Sequence, residues 1–238
     1  MKAAIVTGGN SGIGYATAKL IKERGYDVTI TGRSQERVDK AALELGVNSF
    51  LADMADLEKL KELATLFKDG LDVLVLNAAV AKFAPLSLSN VDDYNEMMRV
   101  NVRGPYYLCQ YLEDALAKNK GVISFISSAV VTNGVANASL YAASKGAIDS
   151  LCKTLAIELA AKNIRVNTIS PGAVHTPILS KLGLGDADIS AMEETLSQTI
   201  PLKRYGEPDE LAHCIVAQVE AKYVTGAIWH VDGGVNSI

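Results

Sequence analysis

Short apolar and β-branched runs alternate with longer amphipathic stretches along the whole chain, and no other feature restricts the fold as strongly. Most of the short runs are continuously apolar, which is typical of strands covered on both faces of a parallel sheet. The predicted strands are Ala3–Thr7, Asp27–Thr31, Ser49–Leu51, Asp72–Leu76, Gly121–Ile126, Arg165–Ile169 and Ile228–Val231.

The amphipathic stretches between these strands have the length and periodicity of helices that cover a sheet. Strands and helices in regular alternation imply right-handed crossovers. We therefore predict an α/β fold in which residues 1–238 form a single doubly wound, Rossmann-type domain, with a seven-stranded parallel sheet and helices on both faces. The predicted helices are Gly12–Arg24, Gln35–Leu45, Asp56–Phe67, Val91–Lys118, Leu140–Lys162 and Pro208–Val219.

The composition excludes several classes of protein. Hydrophobic residues make up 49% of the chain and charged residues 21%, which is an ordinary globular balance with enough apolar side chains for a sizeable core. The net charge is −4 and the basic residues are scattered, whereas a nucleic-acid binder needs a basic stripe. No apolar window reaches the length of a membrane span. We expect a soluble, cytoplasmic protein that binds neither nucleic acid nor membrane.

The cysteines favour neither a metal site nor a disulfide framework. Cys109, Cys152 and Cys214 are widely spaced and lie in apolar helical contexts. Metal sites favour CxxC-type spacing, and disulfide frameworks usually need an even number of cysteines. The sequence therefore predicts buried free thiols and no metal.

The segment Gly172–Tyr205 interrupts the regular alternation, because it is a long connection between the sixth strand and the last helix. A connection of this length in a compact domain is typical of a functional lid or of a disordered segment. Ligands of open α/β sheets bind beyond the carboxyl ends of the strands, where this segment begins. We predict that residues 172–205 form a substrate-binding lid.

A glycine-rich turn follows the first strand and leads directly into a helix. In this turn Gly8 permits a tight turn, Gly12 lets the backbone approach a phosphate, and Gly14 allows close packing of helix and strand. The free amides and the positive dipole end of the helix then suit a pyrophosphate. The turn, which also includes Asn10, Ser11 and Ile13, predicts dinucleotide binding.

The second strand ends in a glycine followed by Arg33. An acidic residue here would accept hydrogen bonds from both ribose hydroxyls and would repel a 2′-phosphate. A guanidinium instead has the planar donor geometry that suits a phosphate. The sequence therefore favours NADP(H) over NAD(H).

Tyr141 and Lys145 are one helical turn apart near the start of a predicted helix, so their side chains share a face. A free tyrosine has a pKa near 10 and is a poor base at neutral pH. A neighbouring cation favours the phenolate, so we expect Lys145 to lower the pKa of Tyr141 towards the range suited to general acid–base catalysis.

The chain resembles the short-chain dehydrogenase/reductase family over nearly all of its length. The residues that carry the resemblance begin with the TGxxxGIG turn at Thr7–Gly14 and the YxxxK pair of Tyr141 and Lys145. Ser128 precedes Tyr141 by thirteen residues, the spacing of the family's catalytic serine. The other matching positions are Asp53, Asn77-Ala78-Ala79 in place of the family's NAG, Asn101, Pro171-Gly172 and Thr176, Val224–Gly226 and Val231–Gly234.

The resemblance implies a hydride transfer between a nicotinamide and a carbonyl or secondary alcohol. Tyr141 would exchange a proton with the substrate oxygen, Ser128 would hydrogen-bond that oxygen, and Lys145 would bind the nicotinamide ribose. Asn101 would position a water that relays protons to Lys145. The implied nucleotide-binding residues are Gly8, Asn10, Ser11, Gly12, Ile13, Gly14, Arg33, Asp53, Met54, Asn77, Ala78, Tyr141, Lys145, Pro171, Gly172, Val174 and Thr176.

The substrate stays open between two classes of carbonyl compound. Relatives that reduce 3-oxoacyl thioesters receive an acidic carrier protein, and Lys118, Lys120 and Lys162 are candidates for docking it. The alternative substrates are small ketones, sugars or polycyclic alcohols, and a non-catalytic nucleotide-binding regulator is the alternative function. His175 is interpreted as an exposed or structural residue, with a contact to substrate as the alternative. The long helices carry surplus apolar positions, from which we expect a homodimer or a homotetramer.

Overall fold

The computed structural model describes residues 2–177 and 186–237, with the backbone alone for residues 186–192. Seven strands form one sheet: β1 (Ala3–Thr7), β2 (Asp27–Gly32), β3 (Asn48–Leu51), β4 (Val73–Leu76), β5 (Val122–Ile126), β6 (Arg165–Pro171) and β7 (Ile228–Val231). Their order is β3-β2-β1-β4-β5-β6-β7, and every neighbouring pair is parallel. The strand order reverses between β1 and β4, which confirms the doubly wound α/β fold.

Helices cover both faces of this sheet, as predicted. One face packs against α1, α2 and α8, and the other packs against α3, α5 and α6. The α-helices of the described residues are α1 (Gly12–Glu23), α2 (Gln35–Leu45), α3 (Leu57–Thr65), α4 (Val91–Met98), α5 (Gly104–Asn119), α6 (Ser139–Glu158), α7 (Asp186–Thr199) and α8 (Pro208–Glu220).

Alternate residues of each central strand enter two separate hydrophobic cores. In β1, Ala4 and Val6 pack in the core beneath α1 and α8, whereas Ile5 lies in the core beneath α3, α5 and α6. All three side chains are fully buried. Because both faces of a strand must be apolar in such an arrangement, the strands read as continuous rather than alternating hydrophobic runs.

The predicted helix over Val91–Lys118 is helical throughout, but its middle is not α-helical. A π-helical turn spans Arg99–Arg103 and lies between α4 and α5. Pro105 is the second residue after this turn, and proline has no N–H with which to bond the carbonyl of Asn101 four residues earlier. Widened turns of this kind are frequent at functional sites. Pro105 was the sequence signal for this change in hydrogen bonding.

The remaining differences concern the predicted lid and the thiols. Helix α7 was not predicted, and it falls within the proposed lid segment, of which residues 178–185 lie outside the described residues. Cys109 and Cys152 are buried, Cys214 is partly buried, and all three are free thiols, in agreement with the sequence. In the described parts of the chain, no helix is both long and apolar enough to cross a membrane.

Candidate active site

Most of the predicted site residues lie at the carboxyl edge of the sheet, because they follow the ends of strands. The glycine turn follows β1, Arg33 follows β2, Asp53 and Met54 follow β3, Asn77 and Ala78 follow β4, Ser128 follows β5, and Pro171 ends β6. The carboxyl ends of parallel strands lie at one edge of a sheet, so the topology brings together residues that are far apart in sequence.

The glycine turn has the backbone geometry of a phosphate cradle. Gly12 has a φ of +53°, and a Cβ there would lie 3.2 Å from Cγ2 of Thr176. A Cβ on Gly14 would overlap the carbonyl of Gly8, so only glycine permits this contact. Helix α1 has no acidic residue in its first turn and no side-chain cap from Ser11, which leaves its first amides free to bind an anion.

Asn77 connects the end of β4 to this turn. Its Nδ2 donates to the carbonyl of Thr7 at 3.0 Å and to that of Gly8 at 3.2 Å. Its backbone N–H and that of Ala78 both donate to the Thr7 hydroxyl, at 3.0 and 3.1 Å. Asn77 therefore stabilises the glycine turn, and its side-chain amide is already hydrogen-bonded to backbone carbonyls.

Arg33 and Asp53 line one groove of about 520 Å³ at this edge. Arg33 is exposed and has no ion-pair partner among residues 2–177 and 186–237, whereas the side chain of Asp53 accepts a hydrogen bond from the Ala55 backbone at 2.8 Å. Met54 is buried in the core. The charged residues that line the groove are Arg33 and Asp53, together with Asp92, Asp93, Glu96 and Arg99.

The loop after β6 approaches the glycine turn from the opposite side. Gly172 packs so closely on Asp232 that a Cβ would come within 2.7 Å of its Cα. Val174 is buried and forms a β-bridge with Gly206. These contacts hold the loop so that Thr176 reaches Gly12, as described above. The sequence-predicted residues of this loop and of the glycine turn are therefore neighbours in space.

Asn101 lies buried in the π-helical turn and connects three elements. Its Oδ1 accepts from the Val80 backbone at 2.9 Å, and its Nδ2 donates to the Val80 carbonyl at 2.8 Å. The same Nδ2 donates to the Ser144 hydroxyl on α6 at 3.0 Å. Asn101 thus fixes the segment after β4 relative to the helix that carries Tyr141 and Lys145.

Tyr141 and Lys145 share the inner face of α6, as the spacing predicts. Both are buried, and Nζ of Lys145 lies 5.8 Å from the centre of the Tyr141 ring. The same amine donates a 2.7 Å hydrogen bond to the carbonyl of Ile126, the last residue of β5. The ammonium is therefore held between the tyrosine and the carboxyl end of the sheet.

The expected lowering of the tyrosine pKa was wrong for the chain as described. Burial raises the pKa of Tyr141 to about 12, and a side-chain hydrogen bond with Ser128 acts in the opposite direction. Burial also lowers the pKa of Lys145 to about 8, against the effect of the Asp149 carboxylate. Desolvation penalises the charged form of each group, and for this pair it exceeds the neighbouring interactions.

The two serines after β5 differ in their surroundings. Ser127 is buried and its hydroxyl donates to the Lys145 carbonyl at 3.4 Å, so it braces the helix. Ser128 is only partly buried and interacts with the Tyr141 hydroxyl. Of the two, Ser128 is the one whose side chain faces the tyrosine, as its spacing predicted.

Asp149 is a residue that the sequence reasoning missed. It lies one helical turn beyond Lys145, and its buried Oδ1 has no hydrogen-bond partner among the described residues. Burial raises the pKa of Asp149, while the hydrogen bond with Ser127 and the charges of His230, Lys145 and Lys153 act in the opposite direction. The repeated four-residue spacing from Tyr141 through Lys145 to Asp149 was the available signal.

His175 has acidic and aromatic neighbours that fit a structural role. Its ring nitrogens lie 3.5 Å from Oε1 of Glu193 on α7 and 3.7 Å from Oε1 of Glu207. The ring also packs on Tyr205, with centroids 5.1 Å apart. These contacts connect α7 to the loop after β6, in line with the interpretation of His175 as structural.

The placement of the three candidate docking lysines contradicts their proposed role. Lys118 and Lys120 end α5, and Lys162 precedes β6, so all three lie at the amino edge of the sheet, opposite Tyr141. Strands of five residues separate the two edges by roughly 16 Å. Lys162 is also paired with Glu113 at 2.7 Å, and Lys118 donates to the Lys68 carbonyl. A partner docked there would face away from the site.

Comparisons with known proteins agree with this geometry. Residues 8–236 match the family model described as enoyl-(acyl carrier protein) reductase. Carbonyl reductase family member 4 of Xenopus tropicalis is 34% identical over 240 residues, which cover 98% of this chain and 97% of that protein.

Two solved structures are similar in both sequence and fold. A short chain dehydrogenase/reductase family protein superposes with a TM-score of 0.91 at 34% identity, covering 100% of this chain and 98% of that one. The 3-ketoacyl-(acyl-carrier-protein) reductase from Brucella melitensis, complexed with NADH, has a TM-score of 0.91 at 30% identity, with 99% and 98% covered. The chain therefore belongs to the short-chain dehydrogenase/reductase family of oxidoreductases.

Proposed function

We propose that the protein is an NADP(H)-dependent oxidoreductase that interconverts a carbonyl compound and its secondary alcohol. The observation that carries the proposal is the meeting of Tyr141, Lys145 and Ser128 at the same sheet edge as the glycine turn. The carbonyl reductase and the 3-ketoacyl-carrier-protein reductase among its relatives support this reaction class. The single domain would then contain both the nucleotide site and the catalytic site.

The nucleotide-binding residues fit a pyrophosphate nucleotide on structural grounds. Gly12 has a positive φ and packs tightly beside Thr176, and α1 has neither an acidic residue in its first turn nor a side-chain cap. Arg33 would hold the 2′-phosphate and Asp53 the adenine, while Lys145 would hold the nicotinamide ribose. When bound, the nicotinamide nucleotide supplies or accepts the hydride.

The protein's own side chains carry out the proton transfer. Burial keeps Tyr141 protonated at neutral pH, which is the form that donates a proton to a carbonyl oxygen. Ser128 donates a hydrogen bond to the same oxygen and so orients the substrate. As the phenol loses its proton, the ammonium of Lys145 stabilises the phenolate, because an opposite charge favours the ionised form. Asn101 holds the segment after β4 against α6 while this happens.

A screen of nucleotide oxidation tests the reaction class directly. We expect NADPH oxidation, followed by the loss of absorbance at 340 nm, with at least one ketone or acyl thioester from a panel that includes sugars and acetoacetyl thioesters. The matched control omits the carbonyl compound. Binding of NADPH without turnover on any substrate would contradict the proposal and favour a nucleotide-binding regulator.

The cofactor preference depends on Arg33. We expect Arg33→Ala to lower kcat/KM for NADPH about 10- to 100-fold, because it removes a charge-assisted hydrogen-bond donor for the 2′-phosphate. The value for NADH should stay within two-fold of the wild type. Arg24→Ala is the control, since it removes an exposed arginine from the opposite edge of the sheet. An equal loss of kcat/KM with NADPH and NADH would show that Arg33 does not recognise the 2′-phosphate.

We also propose that the protein self-associates as a homodimer or a homotetramer. It is supported by a mainly apolar groove of about 550 Å³ on the outer surface of the helices that flank the π-helical turn. Its lining includes Met98, Val102, Tyr106, Tyr107 and Leu151.

A further inference from the structure

Phe83 is an aromatic side chain beside the catalytic tyrosine that the mechanism above does not use. Its ring centroid lies 5.7 Å from that of Tyr141, with the planes tilted by 51°. Tyr141 is buried, whereas Phe83 is 42% exposed. Part of the Phe83 ring therefore packs against the Tyr141 ring, and the rest of it is exposed to solvent.

Backbone and side-chain hydrogen bonds hold Phe83 in this position. On one side of it, Val80 is bonded twice to Asn101, at 2.8 and 2.9 Å. On the other side, the backbone N–H of Ala84 donates to the Asn137 carbonyl at 2.9 Å. Asn137 adopts a left-handed conformation with a φ of 66° in the loop that leads into α6. The backbone of the segment from residue 80 to 84 is thus anchored at both ends, which places Phe83 beside Tyr141.

The chemistry around Phe83 is apolar. Lys82 is the one charged residue between residues 78 and 84, and its amine lies 3.6 Å from carboxylate oxygens of both Asp93 and Glu96 on α4. Its charge is therefore directed away from Tyr141. Across the Ala84–Asn137 hydrogen bond, the facing loop carries Val135, a second exposed apolar side chain. Each of the two segments joined by this hydrogen bond thus carries an exposed apolar side chain, Phe83 on one and Val135 on the other.

These contacts have a consequence for substrates whose carbonyl oxygen meets the Tyr141 hydroxyl. The carbonyl carbon carries two substituents, and the Phe83 ring, which packs on Tyr141, offers an apolar surface to one of them. A hydrocarbon substituent there removes apolar surface of both partners from water, which is favourable. A hydroxylated substituent would lose water without gaining a hydrogen-bond partner from the ring, which is unfavourable.

We propose that Phe83 is a specificity-determining residue that receives an alkyl or aryl substituent of the substrate carbonyl, so that the substrates are hydrocarbon-bearing ketones or 3-oxoacyl compounds rather than sugars. This inference rests on the proposed function and narrows its substrate class. Phe83 contacts the substrate in this assignment and takes no part in proton transfer.

The test compares two ketones with the wild type and three variants. Acetophenone is the hydrocarbon probe and erythrulose is the hydroxylated probe, both with saturating NADPH. We expect the wild type to favour acetophenone in kcat/KM. Phe83→Ala should lower kcat/KM for acetophenone about 10-fold, through a higher KM, because that is the usual effect of losing a hydrophobic contact in a substrate pocket. The same substitution should change kcat/KM for erythrulose by less than two-fold. Phe83→Leu keeps an apolar side chain and should retain most of the preference.

Leu86→Ala is the matched control, because Leu86 is an apolar residue close in sequence to Phe83 and is 84% exposed. It should leave both values unchanged. An equal loss of kcat/KM for both ketones in Phe83→Ala would overturn the inference, because it would mean that Phe83 only holds Tyr141 in place. No loss for either ketone would overturn it as well. Wild-type activity confined to erythrulose would also overturn it and leave the reductase intact. Failure of every carbonyl compound would instead refute the proposed function.

Discussion

Tyr141→Phe is expected to lower kcat by at least 100-fold, and by as much as about 10,000-fold, while NADPH binding stays within about three-fold of the wild type. General acid–base catalysis by a positioned side chain contributes factors of this size. The substitution removes only the hydroxyl and keeps the ring that packs on Phe83. Because Lys145 keeps its hydrogen bond to Ile126, the nucleotide site should remain formed.

Single-turnover rates with saturating NADPH, together with a nucleotide titration followed by fluorescence, measure both effects. Tyr223→Phe is the matched control, because it makes the same chemical change at a fully exposed tyrosine after α8, outside the site. It should leave the rate unchanged. A Tyr141→Phe rate within three-fold of the wild type would mean that another group donates the proton, and the assignment would fall.

Lys145→Met is expected to abolish turnover and to change how stability depends on pH. The amine is buried, and its pKa is lowered to about 8 from the ordinary lysine value of 10.5. Between these pH values the unfolded chain binds a proton that the folded chain does not, so the stability of the wild type rises with pH. From pH 7.5 to pH 9.5 the wild type should gain about 2 kcal/mol relative to Lys145→Met.

Urea unfolding of both proteins at the two pH values measures this difference. Taking the difference cancels groups that titrate equally in both proteins. Lys22→Met removes an exposed lysine from α1, and its difference from the wild type should not change over the same range. A constant difference for Lys145→Met would show that the amine is not desolvated in the folded protein. The opposite slope would mean that the folded state holds the proton more tightly than the unfolded chain.

The sequence alone was sufficient for the fold class and for most of the candidate site. Periodicity predicted all seven strands to within about two residues. The central strands β1, β4 and β5 are buried and mainly apolar, whereas the edge strands β3 and β7 are partly exposed. The glycine turn and the spacing of Tyr141 and Lys145 were also readable, since both depend on local backbone geometry. The match of the family model to residues 8–236 agrees with that reading.

Only the tertiary structure decided how these residues are surrounded. The pKa of Tyr141 is raised because the side chain is buried, and its burial depends on elements that are distant in sequence. The same holds for Phe83, whose ring meets Tyr141 because Asn101 and Asn137 anchor its loop. The docking interpretation of Lys118, Lys120 and Lys162 failed for the same reason, since their place at the amino edge of the sheet depends on strand direction. Sequence spacing determines local faces and turns, whereas desolvation and contacts between loops arise only when the chain is packed.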